Sequence, residues 1–176
     1  KVSVDKFTGS LGGGTLDIFG QIILPPRKDP QLDLQVKLTN ARLQYPEWIH
    51  SSASGELWVK GTKQPYLATG NIHVYEALYK ENIDWQSRLI SLKKERYLPK
   101  AYELSKPLCL LNIVLDAPKK IFVRNNVAQL EAQGLLRLKG NSNQPNLEGN
   151  IDLVSGVAYF KETEFALNTL HVKFDH

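Results

Sequence analysis

Residues 133–160 alternate apolar with polar side chains: Leu136 and Leu138, and later Ile151 and Leu153, are separated by single charged residues. Side chains of a β-strand point to opposite faces in turn, so this alternation predicts strands with one apolar and one polar face. Two glycines bracket a polar connection that contains a proline, a composition typical of turns. The segment is therefore predicted to be a β-hairpin.

The same pattern occurs earlier in the chain. Gly55 and Leu57 stand 79 residues before Gly134 and Leu136, and the other glycines and apolar residues of the hairpin keep that offset. Glycines and alternation in register over so many positions indicate an internal repeat. The repeats are predicted to span residues 54–79 and residues 133–158.

Most of the remaining chain also alternates, so the predicted fold class is all-β. The exception is the charged segment 80–105, where Trp85, Leu89 and Leu92 partly satisfy helical spacing. This segment is expected to be a short helix, a loop or an irregular strand, acting either as a lid or docking element or as a plain surface excursion. After it, residues 108–115 are apolar on both faces, which suggests a strand that is covered on both sides or that contacts another part of a longer parent protein.

Composition limits what the chain can bind. Its 176 residues suffice for a single domain, 1–176, with a sizeable core. The net charge of +4 is spread along the sequence, whereas nucleic-acid binding needs a concentrated basic stripe. The chain starts at Lys1, contains no methionine and has no apolar run long enough to span a bilayer. It is therefore expected to be a fragment of a longer protein.

No pattern in the sequence indicates catalysis. The four histidines, His50, His73, His171 and His176, lack the spacing of metal ligands. The Gly-x-Ser-x-Gly elbow of hydrolases is missing, and the glycines at 12–14 precede neither a lysine nor a helix that would bind phosphate. The chain is therefore predicted to be non-enzymatic, with no cofactor and no metal.

Several motifs occur in a fixed order. A short I-F-V-R strand (Ile121–Arg124) precedes G-x-L-x-L-x-G (Gly134–Gly140) and G-x-I-x-L-x-x-G (Gly149–Gly156), and E-F-x-L (Glu164–Leu167) follows them. This order resembles the C-terminal domain of the TamB family, within the wider AsmA-like bridge proteins of diderm bacteria. The resemblance is strongest over residues 107–174 and does not extend to the charged segment.

The resemblance carries structural and functional implications. Members of this family are anchored in the inner membrane and cross the periplasm as a curled β-structure shaped like a half-pipe or taco. Their apolar concave face is thought to carry phospholipid acyl chains or to shelter nascent outer-membrane strands. Their partner is TamA, an outer-membrane barrel of the Omp85 type, and no catalysis is associated with them.

The residues themselves leave two architectures open. With almost no amphipathic helix to cover its strands, the chain must close two sheets into a sandwich or curl one sheet around an apolar channel. A closed sandwich would serve as a scaffold or adhesion domain, binding a protein or glycan through edge strands and exposed aromatics. The resemblance favours the half-pipe. The residues then expected to line the groove and contact lipid or client are Leu34, Val36, Leu57, Val59, Ile72, Val74, Leu136, Leu138, Ile151 and Leu153.

Overall fold

The computed structural model describes residues 2–27, 29–44, 47–84, 106–161 and 163–175. Within these ranges the chain forms ten β-strands and no helix, which confirms the all-β prediction. The strands are β1 (Val2–Leu11), β2 (Gly14–Ile23), β3 (Gln31–Gln44), β4 (Ile49–Gly61), β5 (Tyr66–Tyr79), β6 (Cys109–Arg124), β7 (Ala128–Asn141), β8 (Pro145–Phe160), β9 (Thr163–Ala166) and β10 (His171–Phe174).

All ten strands belong to one curled, unclosed sheet, as predicted for a half-pipe. Strands β1 to β8 are hydrogen-bonded in sequence order, and β9 and β10 both pair with β8 at the far edge. No pairing joins β1 to β8, β9 or β10 in the described part of the chain. The closed two-sheet sandwich is therefore not the architecture of these residues.

Strands β3–β5 and β6–β8 form two units with matching registers. Gly55 lies opposite Ile72 in the β4–β5 hairpin, and Gly134 lies opposite Ile151 in the β7–β8 hairpin. Each unit has three antiparallel strands, so its last strand runs in the same direction as its first. The two units consequently meet in a parallel pair, β5–β6.

That parallel pair explains why a long connection separates β5 from β6. Adjacent parallel strands begin at the same end of a sheet, so the chain must return along the full strand length, which takes a dozen or more residues. Residues 80–84 leave β5 without regular structure. The turn at Asn125–Asn126 holds their start: the Asn125 Nδ2 group donates to the Glu81 carbonyl at 3.0 Å, and the Ile83 amide donates to Asn126 Oδ1 at 2.8 Å. A short helix, a loop or an irregular strand was expected over 80–105, and residues 85–105 of that segment lie outside the described residues.

The central strands carry their irregularities in one row. The β3–β4, β4–β5, β6–β7 and β7–β8 pairs each shift register there, with the extra residues on β3, β5, β6 and β8. Ala53 is the partner of both Ala41 and Val74, and Ala132 is the partner of both Ile121 and Leu153, so the shifts line up across the sheet. A bulge bends the strand that carries it. The row is therefore a crease that runs across the strands.

Candidate functional site

Strand register decides which side chains share a face, because directly opposed residues point to the same side of a sheet. Leu34 lies opposite Val59, and Val36 lies opposite Leu57. Pairing continues through β5 and β6 to Leu136. Followed strand by strand, the register places all ten predicted groove residues on one face: Leu34, Val36, Leu57, Val59, Ile72, Val74, Leu136, Leu138, Ile151 and Leu153.

This face is the concave one. Ile113, which belongs to it, is 7% exposed, whereas Leu135 on the opposite face of the neighbouring strand is 60% exposed. Both side chains are aliphatic, and the described residues provide no second layer over either face. The difference therefore arises from curvature, which brings side chains together on the inner side of the sheet.

The concave face is apolar without interruption by charge. Outside the bulges, Ser51 and the hydroxyl groups of Tyr66 and Tyr79 provide the only side-chain oxygens or nitrogens that β3 to β8 place on it among the described residues. Sequence reasoning missed its middle strand, β6, where Leu111, Ile113 and Leu115 continue the face. The available signal was the 79-residue offset, which aligns Ile113 with Leu34. The run 108–115 is not covered on both sides, since Leu110 is 44% exposed.

Small side chains line the crease on its concave side. Ala41 is 0% exposed and Ala53 is 1% exposed. In the second unit Ala132, the equivalent of Ala53, and Ala117, the last paired residue before the bulge of β6, are also buried. Where a sheet folds towards one face, the side chains of that face converge. Alanine leaves room for this approach, and larger side chains stand on the strand arms to either side.

Tyr66 closes the concave face at one end of the first unit. Its ring lies against Gly61 of the adjacent strand, and its hydroxyl donates to the Pro30 carbonyl at 2.7 Å. Burial is the main reason that the pKa of Tyr66 is raised, with smaller contributions from Asp29 and Cys109. Cys109 lies directly opposite Tyr66 on the same face, and its pKa is also raised by burial.

The convex face is mostly polar, with charged side chains paired between neighbouring strands. Lys60 Nζ lies 3.1 Å from Asp33 Oδ1, and the side chains of these two residues are 57% and 54% exposed. Such exposed pairs contribute little to stability. The remaining cross-strand pairs on this face are Lys37–Glu56, His73–Asp116, Lys139–Glu148 and His171–Asp152.

The site is thus an apolar trough on the inner side of a sheet whose outer side is wet. Through the ranges that the structure describes, no buried side-chain nitrogen or oxygen lacks a hydrogen-bond partner, and no three metal-ligating side chains cluster.

Comparison with known proteins identifies a family. The family model for the TamB C-terminal domain matches residues 5–176. No curated protein and no solved structure matches the chain. No helix of the described residues is long and apolar enough to cross a membrane. The match covers nearly all of the sequence, and the chain therefore belongs to the TamB C-terminal domain family, whose members are components of the translocation and assembly module.

Proposed function

We propose that this chain is a non-enzymatic, periplasmic part of an inner-membrane-anchored protein, and that its concave face carries phospholipid acyl chains between the inner and outer membranes. The observation that carries the proposal is the single face on which the register collects the apolar side chains of β3 to β8. A soluble sheet must bury such a face against something. An acyl chain is a guest that needs no polar partner.

The dimensions suit this guest. The crease runs across the six strands β3 to β8, and strands about 4.8 Å apart give a trough roughly 24 Å long. One leaflet contributes half of a hydrocarbon core about 30 Å thick, so an extended acyl chain fits lengthwise with space to move. Each buried methylene contributes about 0.8 kcal/mol, and a chain of about sixteen carbons gains on the order of 10 kcal/mol before ordering costs.

A second proposed role is assembly of outer-membrane β-barrel proteins and autotransporters with TamA, the Omp85-type barrel. The edge strands of the sheet suit this role better than the trough does. Strands β2 to β8 have neighbours on both sides, so the floor of the trough has few backbone groups for a client strand. An incoming strand buried there would leave its own backbone groups unpaired, at a substantial cost. The outer sides of β1 and of β9 and β10 are where a client or partner strand would pair.

Lipid binding by the purified chain tests the first role. Leu138→Asn places an amide on the concave face, and Arg137→Asn makes the matching change on the convex face of the same strand. Native mass spectrometry with phosphatidylethanolamine in mild detergent is expected to detect lipid adducts on the wild type and on Arg137→Asn. The adducts should fall by about tenfold or more for Leu138→Asn, a loss of about 1.4 kcal/mol or more in binding.

Circular dichroism of both variants checks that the sheet persists. Equal lipid binding by a folded Leu138→Asn variant and a folded Arg137→Asn variant would contradict the proposal. Absence of lipid adducts on the wild type would contradict it as well.

A further inference from the structure

The convex face contains a depression of about 260 Å³ that the trough does not use. It is built on β2, β3 and β4, where register sets Phe19 opposite Gln35 and Gln35 opposite Trp58. One step along the strands, Asp33 has Gln21 on one side and Lys60 on the other. The depression is thus lined by two parallel rows of three side chains, one with an aromatic ring at each end and one wholly polar, and by the hydroxyl-bearing Ser3 of β1, which lies opposite Gln21.

The first row has one aromatic ring at each end. Phe19 and Trp58 stand on strands two apart, which places their backbones about 10 Å from each other because neighbouring strands lie about 4.8 Å apart. The Gln35 side chain stands between them, and its Nε2 group lies 3.4 Å from Glu56 Oε2. Two apolar ring surfaces therefore flank an amide group, at a separation comparable to the length of a disaccharide.

The second row is polar and electrically balanced. Lys60 Nζ lies 3.1 Å from Asp33 Oδ1, and the third member, Gln21, is neutral. A free anion or a phosphate would need excess positive charge here, and a cation would need excess negative charge. The charges in this depression favour a neutral ligand that has hydroxyl or amide groups.

The Phe19 side chain is half-buried, and what covers its ring is an exposed lysine. The ammonium group of Lys6, a residue of the edge strand whose side chain is 57% exposed, lies 6.0 Å from the ring centroid and 3.6 Å from Asp17 Oδ1. An exposed lysine held only by such contacts moves away at little cost. A ligand that stacks on the ring would displace it.

We propose that this convex depression binds a neutral, extended oligosaccharide. The apolar C–H faces of sugar rings stack on Phe19 and Trp58, and their hydroxyl or acetamido groups bond to Gln35 and to the Asp33–Lys60 row. Ligand sites in proteins combine apolar surface with a few placed polar groups in this way. The depression is smaller than the roughly 300–1,000 Å³ of pockets that enclose whole ligands, so it holds one or two rings of a glycan that continues across the surface.

Titration calorimetry with defined tetrasaccharides tests the proposal and shows whether the depression prefers β-1,4-linked or α-1,4-linked sugars. The probes are β-1,4-linked N-acetylglucosamine tetrasaccharide, which resembles a cell-wall glycan, and maltotetraose, which has α-1,4 links and no acetamido groups. Saturable binding of either probe by the wild type is the expected result. Binding should weaken by about tenfold or more in Trp58→Leu and in Phe19→Leu, as for an aromatic at the centre of an interface.

The matched control is Trp48→Leu, which removes an exposed tryptophan outside the depression. Unchanged affinity in this variant is expected, and an equal loss there would overturn the assignment. Absence of binding of both probes to the wild type at millimolar concentration would overturn the proposal itself. If Trp58→Leu does not fold, saturation-transfer NMR of the wild type decides: transfer from aromatic protein protons to sugar ring protons is expected, and its absence contradicts stacking.

Discussion

Gly149 lies directly opposite Leu136 in the β7–β8 pair, so close to the next strand that an added Cβ would stand 2.3 Å from the Leu135 carbonyl oxygen. Its φ of +127° is also one that side-chain-bearing residues rarely adopt. Gly149→Ala is therefore expected to lower the free energy of unfolding by about 1–3 kcal/mol. Urea denaturation measures the loss. Gly9→Ala is the control, since its new methyl meets only the Phe7 ring at 3.4 Å, and equal stability of the two variants would contradict the prediction.

Ala53 tests the crease. It is 1% exposed and lies between Ala41 and Val74 where the sheet folds. Ala53→Leu forces a large side chain into the converging surface, and a loss of about 1–3 kcal/mol in stability is expected from overpacking. The same change at exposed Ala166 adds the same carbon atoms without confinement. Thermal unfolding of both variants is the measurement, and an Ala53→Leu variant as stable as the wild type would mean that the crease is open.

Tyr66 gives the chain a predicted alkaline sensitivity. Tyr66→Phe removes the hydrogen bond to Pro30 and should cost about 0.5–1.5 kcal/mol near neutral pH. Because the pKa of Tyr66 is raised on folding, the folded state holds this proton more tightly than the unfolded state does. Stability is therefore complete below the ordinary tyrosine pKa of about 10 and falls as pH rises through the raised value.

Melting temperatures at about pH 8 and about pH 11 reveal this difference, with the phenol's ionisation followed by ultraviolet absorbance. The wild type should lose more stability than Tyr66→Phe between the two values. Cys109, whose pKa is raised as well, is present in both proteins and cancels in the comparison. Equal losses of stability in the wild type and in Tyr66→Phe would show that folding does not raise the pKa of the Tyr66 phenol.

The ion pairs of the convex face should be nearly dispensable. Lys37 Nζ and Glu56 Oε1 are 3.6 Å apart, and their side chains are 52% and 40% exposed. Solvent screens such a pair, so Glu56→Gln is expected to change stability by less than about 1 kcal/mol. Urea denaturation in low and high salt measures the change in the free energy of unfolding. A salt-dependent loss above about 2 kcal/mol would show that the ion pairs of the convex face do stabilise the fold.

Alternation predicted the strands because a side chain's face depends on parity, which the sequence displays directly. That the ten residues on the concave face contact lipid or client stays a prediction. Parity fails at a bulge, however, and Val74 and Ala77 share the concave face although they are three residues apart. Tyr75 is the extra residue of this bulge, and because of it Ala77 points to the same face as Val74. Nothing in the sequence pattern around Tyr75 marks the bulge. In β3 the parity switch from Leu38 to Ala41 does mark the bulge in the sequence, but the row that the bulges form across the sheet depends on how the strands pair.

Pairing between distant strands was the other unpredicted feature. The predicted repeats begin at residues 54 and 133, so they leave out β3 and β6, the first strands of the two units. The signal for these strands was present, since Val36 and Leu115 stand at the same offset of 79 residues. The parallel β5–β6 pair makes the sheet mixed, because both units have an odd number of strands and the same orientation, and the position of this pair was not predicted. That residues 1–176 are a single domain cut from a longer protein stays a prediction.

Site-specific photo-crosslinking in cells tests the central claim most directly. A photoreactive amino acid is placed in the full-length parent protein at Leu138 on the concave face, and at Arg137 on the convex face as the control. The account predicts adducts of phospholipid mass at Leu138 and none at Arg137. Lipid adducts at neither position, or equally at both, would contradict a trough that carries acyl chains on one face of this sheet.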